Sequence, residues 1–221
     1  MPNSVVKYNT FYPSKIKDNK IFIVIDTVFD YSRVEVIADY LREKESFKFF
    51  IFSKSYSESI RDKDEIETDN VIAGLFSIKE EYNVNIASNL SYVSEMDKVL
   101  KVIDVALIDD FLAINKSFIK NMILKQKPSM IETDLLEKSD LYTIGQIAEL
   151  NKWPISFIFN DISVDYVDVY ESFFSFLRLK FYNPKVLKAA IDIGINGFFI
   201  KIDSVDELKV FLNTLESVLK D

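Results

Sequence analysis

Asp165–Lys180 reads DYVDVYESFFSFLRLK, and the number of strands in the fold turns on it. Taken as one helix, it carries Phe173, Phe174 and Phe176 as an aromatic face suited to core packing, with an oligomer contact as the alternative use. A second helix follows over 184–193, with Pro184 at a starting position. Two helices in succession leave only Leu179–Tyr182 as a stub for a strand between them.

Outward from this stretch, short apolar runs alternate with amphipathic ones. Ile21–Asp26, IFIVID, is a buried-strand run. Tyr31–Lys44 is predicted as a helix with Val34, Ile37, Ala38 and Leu41 on one face. Further strands are predicted over 47–53, 84–90, 104–109, 129–133, 155–160 and 197–202. Further helices are predicted over 69–82, 94–102, 115–125, 139–151 and 206–220. Repeated strand–helix units with nearly continuous apolar strands predict a parallel sheet covered by helices. The expectation is an α/β fold, a (β/α)8 TIM-type barrel with a truncated or missing seventh strand, in a chain of 221 residues. A doubly wound open sheet is the alternative. Residues 1–20 are expected as an extension in which Val5–Tyr8 and Lys15–Lys17 pair as a hairpin, and 21–221 as the barrel domain. The charged segment Ile60–Asp69 reads as a solvated loop.

Composition removes several chemistries. There is no cysteine, so disulfides, thiolate metal sites and cysteine nucleophiles are excluded. There is no histidine, the commonest general base near neutral pH, so Ser163 has no triad partner. The net charge of −8 and the lack of a Lys/Arg run argue against nucleic acid. No apolar run approaches the ~20 residues of a membrane span. The first ten residues, MPNSVVKYNT, show no signal-peptide pattern, and a cytoplasmic location is expected.

Asp26, Asp109, Asp110, Glu132, Asp134, Asp161 and Asp203 end or follow predicted strands. In a barrel those ends meet on one face. A carboxylate-rich mouth there would hold a divalent cation or supply an acid/base pair. The same residues serve equally as helix N-caps, as Asp30 and Asp140 do. Lys54 and Lys201 at strand ends fit a Schiff-base or phosphate lysine, or a carboxylate-paired one. No residue stands out as catalytic or metal-ligating, and no cofactor is expected apart from that divalent cation.

The order of segments resembles the 3-deoxy-D-manno-octulosonate 8-phosphate (KDO8P) synthase family, within the DAHP/KDO8P synthase superfamily. Leu75–Ser91 (LFSIKEEYNVNIASNLS) looks like its third helix and strand, and Val102–Met122 (VIDVALIDDFLAINKSFIKNM) like its fourth strand with the Phe-Leu-Ala that follows. Gln126–Glu132 (QKPSMIE) resembles its Lys-Pro and fifth strand, Asp165–Lys180 its sixth helix, and Asn183–Asp203 its seventh helix and eighth strand. The resemblance spans about residues 5–220. It implies condensation of phosphoenolpyruvate with arabinose 5-phosphate for lipopolysaccharide synthesis, metal-assisted in some members, and an oligomer. The site residues, however, depart from the pattern. The family's Lys-Ala-Ser after strand two is Ile51-Phe52-Ser53, and Lys54 stands next to it. Its Asp-Val-His-Glu is Asn89-Leu90-Ser91-Tyr92, and the arginine after Phe-Leu-Ala is Ile114. Its pocket lysine after strand five is Glu132 or Thr133, and its Asp-Arg-Gly is Asp161-Ile162-Ser163, which keeps the aspartate. Its final glutamate ligand is Lys201, and the cysteine or asparagine after strand one is Thr27. Two phosphoryl groups need several cations. The expectation is therefore a degenerate barrel without the condensing activity, acting as a binding, regulatory or assembly protein, alone as a homo-oligomer or with an active homologue. A divergent synthase, or a carboxylate- or metal-dependent enzyme of changed specificity, is the alternative.

Overall fold

The computed structural model describes residues 21–27, 31–42, 44, 47–52, 73, 76, 77, 79–82, 84–89 and 96–220. The expected hairpin, the 60–69 loop, Ser53 and Lys54 lie outside the described residues. The strands are β1 Ile21–Asp26, β2 Phe47–Phe52, β3 Asn85–Asn89, β4 Val105–Ile108, β5 Ser129–Glu132, β6 Ile155–Phe159, β7 Ser175–Leu179 and β8 Gly197–Lys201. Around them lie α1 Tyr31–Arg42, α2 Met96–Val102, α3 Asp110–Ala113, α4 Lys116–Lys125, α5 Lys138–Leu150, α6 Val167–Ser172, α7 Pro184–Asp192 and α8 Val205–Lys220. The strands pair in chain order and close into one barrel, every pairing parallel.

The expected truncation is thus wrong, and so is the open-sheet alternative: a full seventh strand pairs with both β6 and β8. The helix read over 165–180 stops at Ser172, and Phe173 is already extended (φ −128°, ψ 150°). From there the side chains alternate with period two. Phe174 and Phe176 enter the barrel interior, while Phe173 and Leu177 join the layer between strands and helices. Both faces are apolar, so the alternation leaves no polar mark in the sequence, and a buried strand reads like a buried helix. The core-packing reading of the three phenylalanines holds, since all are buried.

The interior is aromatic on one side. Phe22 of β1 meets Phe174 edge-on at 4.9 Å and Phe176 at 6.4 Å, and stacks on Phe50 of β2 at 6.1 Å. Phe52 and Phe199 touch at 5.3 Å nearer the carboxyl ends of the strands. Space for these rings comes from Gly197, in register with Phe176, where a Cβ would fall 2.4 Å from that ring. Gly145 on α5 makes the same allowance for Phe173, with a clash of 2.2 Å for a Cβ. The opposite side holds smaller residues, Ala87, Val105 and Leu107 among them. The seams differ as well. β1 and β2 are in register along their full length, whereas among the described residues β2 meets β3 at Phe50–Asn85 and Ile51–Ile86.

Short helix α6, which leads into β7, is pinned from α5. Asp168 pairs with Lys138 at 2.6 Å and accepts from the Tyr142 hydroxyl at 2.8 Å. The Lys138 bond, then the Tyr142 bond, hold this carboxyl below its ordinary value of 3.8. A depressed carboxyl adds stability above its unfolded value that is lost as pH falls through the native one. The melting-temperature advantage of wild type over Asp168→Asn should therefore be full at pH ~6 and vanish toward pH ~2. The strand assignment is checked separately. Phe176→Ala should cost about 3–5 kcal/mol in urea unfolding, whereas Phe181→Ala, at a residue 71% exposed, should change stability by less than about 0.5 kcal/mol.

Candidate functional site

Barrel alternation dictates what faces the mouth at the carboxyl ends of the strands. On the parity of the interior residues, the last such positions are Asp26, Phe52, Asn89, Leu107, Glu132, Arg178 and Lys201, with Asn160 just past β6 and Lys180 just past β7. Phe52 and Phe199 form an apolar floor. Arg178 lies on that floor, its guanidinium carbon 4.7 Å from the Phe199 ring centre. From there its fork reaches over β6 to Glu132 on β5, nitrogen to oxygen 2.5 Å, and donates to Asn160 Oδ1 at 3.4 Å. The Asn160 amide donates in turn to Asp134. Glu132, Arg178, Asn160 and Asp134 thus form one chain of contacts across the β5–β7 sector. The two ionic side chains are 22% and 30% exposed, so water screens them only in part.

The other expected site residues divide. Asp109 caps α3, accepting from Leu112 N at 2.8 Å. Asp110 accepts from Phe111 N and from Leu135 N, both at 2.8 Å, tying the loop after β4 to the loop after β5. Asp109 therefore does the capping work that the sequence left open as an alternative, while Asp110, the first residue of α3, serves as a tie between loops. Asp203 donates its backbone N–H to Glu207 and is exposed. Asp161 lines a cavity of about 190 Å³ beside Arg178 and Phe181, separate from the Glu132 contact. Asp26 is in register with Lys201 and with Phe52. Asn89 ends β3, half-buried, in register with Leu107. Thr27 is buried, its N–H donating to Phe52 O at 2.9 Å and its hydroxyl without a partner among the described residues. Lys201 is exposed, with no salt bridge among the described residues. No group of three or more carboxylates that could hold a metal ion occurs among the described residues.

The structure brings together Glu132 and Asp134, and does so through two residues that sequence reasoning missed. Arg178 was hidden inside the misassigned helix. Its signal was a lone cation in an otherwise apolar run, the mark of a mouth-facing position on a strand. Asn160 carried no signal beyond ending a strand.

No protein-family model and no curated protein matches this sequence. Solved structures do. One is a truncated form of 3-deoxy-D-arabino-heptulosonate 7-phosphate synthase from Thermotoga maritima, with TM-score 0.67, 12% identity, 91% of this chain and 86% of that one. Another is the phospho-2-dehydro-3-deoxyheptonate aldolase (DAHP synthase) of the same organism, with TM-score 0.68, 12% identity, and 91% and 69% coverage. The chain shares its closed (β/α)8 barrel with these two DAHP synthases. Neither structure is a KDO8P synthase, so the expected resemblance is supported in the barrel fold and no further. At this identity the likeness is one of fold alone. No helix among the described residues is long and apolar enough to cross a membrane.

The Arg178–Glu132 contact can be measured. A double-mutant cycle of Glu132→Gln and Arg178→Met in urea unfolding should give a coupling of about 1–2 kcal/mol. Replacing Glu132 with Asp203→Asn in that cycle should give none, because Asp203 shares no partner with Arg178.

Proposed function

We propose that this chain is a degenerate barrel of the DAHP/KDO8P synthase type that does not condense phosphoenolpyruvate with arabinose 5-phosphate and acts as a binding or assembly protein. The observation that carries this reading is the commitment of Arg178 to Glu132. A phosphoryl group could use that guanidinium only by displacing Glu132, leaving a carboxylate beside the anion. Two like charges ~4 Å apart repel by about 4 kcal/mol at an effective dielectric of ~20. Lys180 and Lys201, both exposed and without a salt bridge among the described residues, are then the cations left at the described rim, too few for a carboxylate and two phosphates. The residue types agree with this. Ile114, 59% exposed, stands where the family's arginine is expected, and Glu132 where its lysine is expected.

An assembly role fits the outer surface. Leu124, 72% exposed, lines an apolar groove between α4 and α5 together with Ile114 and Ile147. Exposed apolar patches of this kind mark contact surfaces.

Calorimetric titration of the purified chain with phosphoenolpyruvate should show no binding, and the condensation assay no product. The same sample should sediment as more than a monomer. Phosphoenolpyruvate-dependent turnover would overturn the proposal in favour of a divergent synthase.

A further inference from the structure

At the end of the barrel opposite the mouth, α2, the end of α4 and the turns leading into β5 and β6 enclose a cleft of about 620 Å³. Lysines reach it from four places. Lys101 comes from the last turn of α2, Lys125 from the last turn of α4, Lys127 from just before β5, and Lys152 from the turn before β6. Its one carboxylate, Asp97, is engaged by Lys125 at 2.5 Å. Four lysines against one aspartate make a locally basic site in a chain whose net charge is −8.

The lysines are held in place. Gln126 and Lys152 both adopt left-handed backbone (φ 52° and 55°), which turns the chain sharply at each position. The Gln126 side-chain amide then bridges the two turns, donating to Ile123 O at 2.7 Å and to Asn151 O at 3.0 Å. Trp153 adds a third tie, its indole N–H donating to Lys127 O at 2.9 Å. The cleft is therefore a fixed feature of the barrel floor.

Helix ends favour cations, and this accounts for Lys101 and Lys125. It does not account for Lys127, which precedes a strand. Lys127 is half-buried, and no salt bridge or hydrogen bond to its ammonium is made among the described residues. Its neighbour Asp104 is already taken by Lys79 at 2.7 Å and by Ile86 N at 2.8 Å. Burial lowers the Lys127 pKa, Asp104 opposes that shift and Lys79 adds to it. A desolvated ammonium without a counter-ion is costly unless something anionic completes the site.

We infer that this cleft binds a polyphosphate anion, with the phosphoryl groups seated among Lys101, Lys127 and Lys152. The cleft is larger than one phosphate needs, and Leu100 and Pro154 offer apolar surface to whatever carries the phosphates. The site lies at the amino-terminal face, away from the mouth, so it stands or falls independently of the proposed function.

The test is calorimetric titration of the full chain at low salt with inorganic tripolyphosphate and, separately, with ATP. One saturable site per chain is expected for tripolyphosphate, weakening as salt is added. Lys127→Gln and the Lys101→Gln/Lys152→Gln pair should each weaken it at least tenfold while leaving the melting temperature unreduced, since each removes uncompensated positive charge. Tighter binding of ATP than of tripolyphosphate would place a nucleotide on Leu100 and Pro154, and equal binding would assign the site to the phosphates alone; either supports the inference. Absence of saturable binding, binding of ATP without tripolyphosphate, or binding unchanged in both variants would overturn it.

Discussion

Barrel closure depends on the fit of Phe176 over Gly197. A closed sheet has no free edge, so each strand must be present and in register. β7 is held between β6 and β8 by backbone pairing, and its side of the interior is filled by Phe174 and Phe176 packed on Phe22. Any side chain at residue 197 would meet the Phe176 ring and the Phe22 carbonyl, the latter at 3.0 Å. The same packing sets the depth of the mouth. Aromatic rings fill the interior up to Phe52 and Phe199, and Arg178 lies flat on the uppermost of them. A polar funnel has little room to form beneath it. At the rim stands the Glu132–Arg178–Asn160–Asp134 chain, in which the guanidinium is committed to Glu132 and Asp134 is tied to the Asn160 amide.

Much of this was legible in the sequence. The seven predicted strands are all present, and Glu132 and Lys201 end their strands as expected. The remaining strand, β7, was missed because SFFSFLRL is apolar on both faces, and period two and period 3.6 cannot be told apart in so short a run. Losing β7 also lost Arg178, and with it the partner that explains Glu132. The sequence leaves the aspartates at strand ends open as caps or ligands. For Asp109 and Asp110, only coordinates could show backbone N–H groups already occupying their oxygens.

The lysine cleft was invisible for another reason. No basic run exists in the chain, because Lys101, Lys125–Lys127 and Lys152 come from successive strand–helix units. The fold repeats its geometry unit by unit, so residues one unit apart become neighbours. The contacts Asp110–Leu135, Gln126–Asn151, Thr133–Ile158 and Tyr142–Asp168 all follow that rule. Charge patterning in a barrel is thus read down the staves, and a linear scan for basic stretches passes over it.

The uneven pairing around the barrel has a consequence for how it breathes. Where β2 meets β3, two residue pairs are in register among the described residues, against six between β1 and β2, and the small Ala87 is what β3 sets beside the rings of β2. Among the described seams that junction has the fewest paired residues, and there the cylinder would part first. Backbone protons there would trade with deuterium ahead of those between β1 and β2, and unfolding would begin as a split along this line that leaves the aromatic half standing.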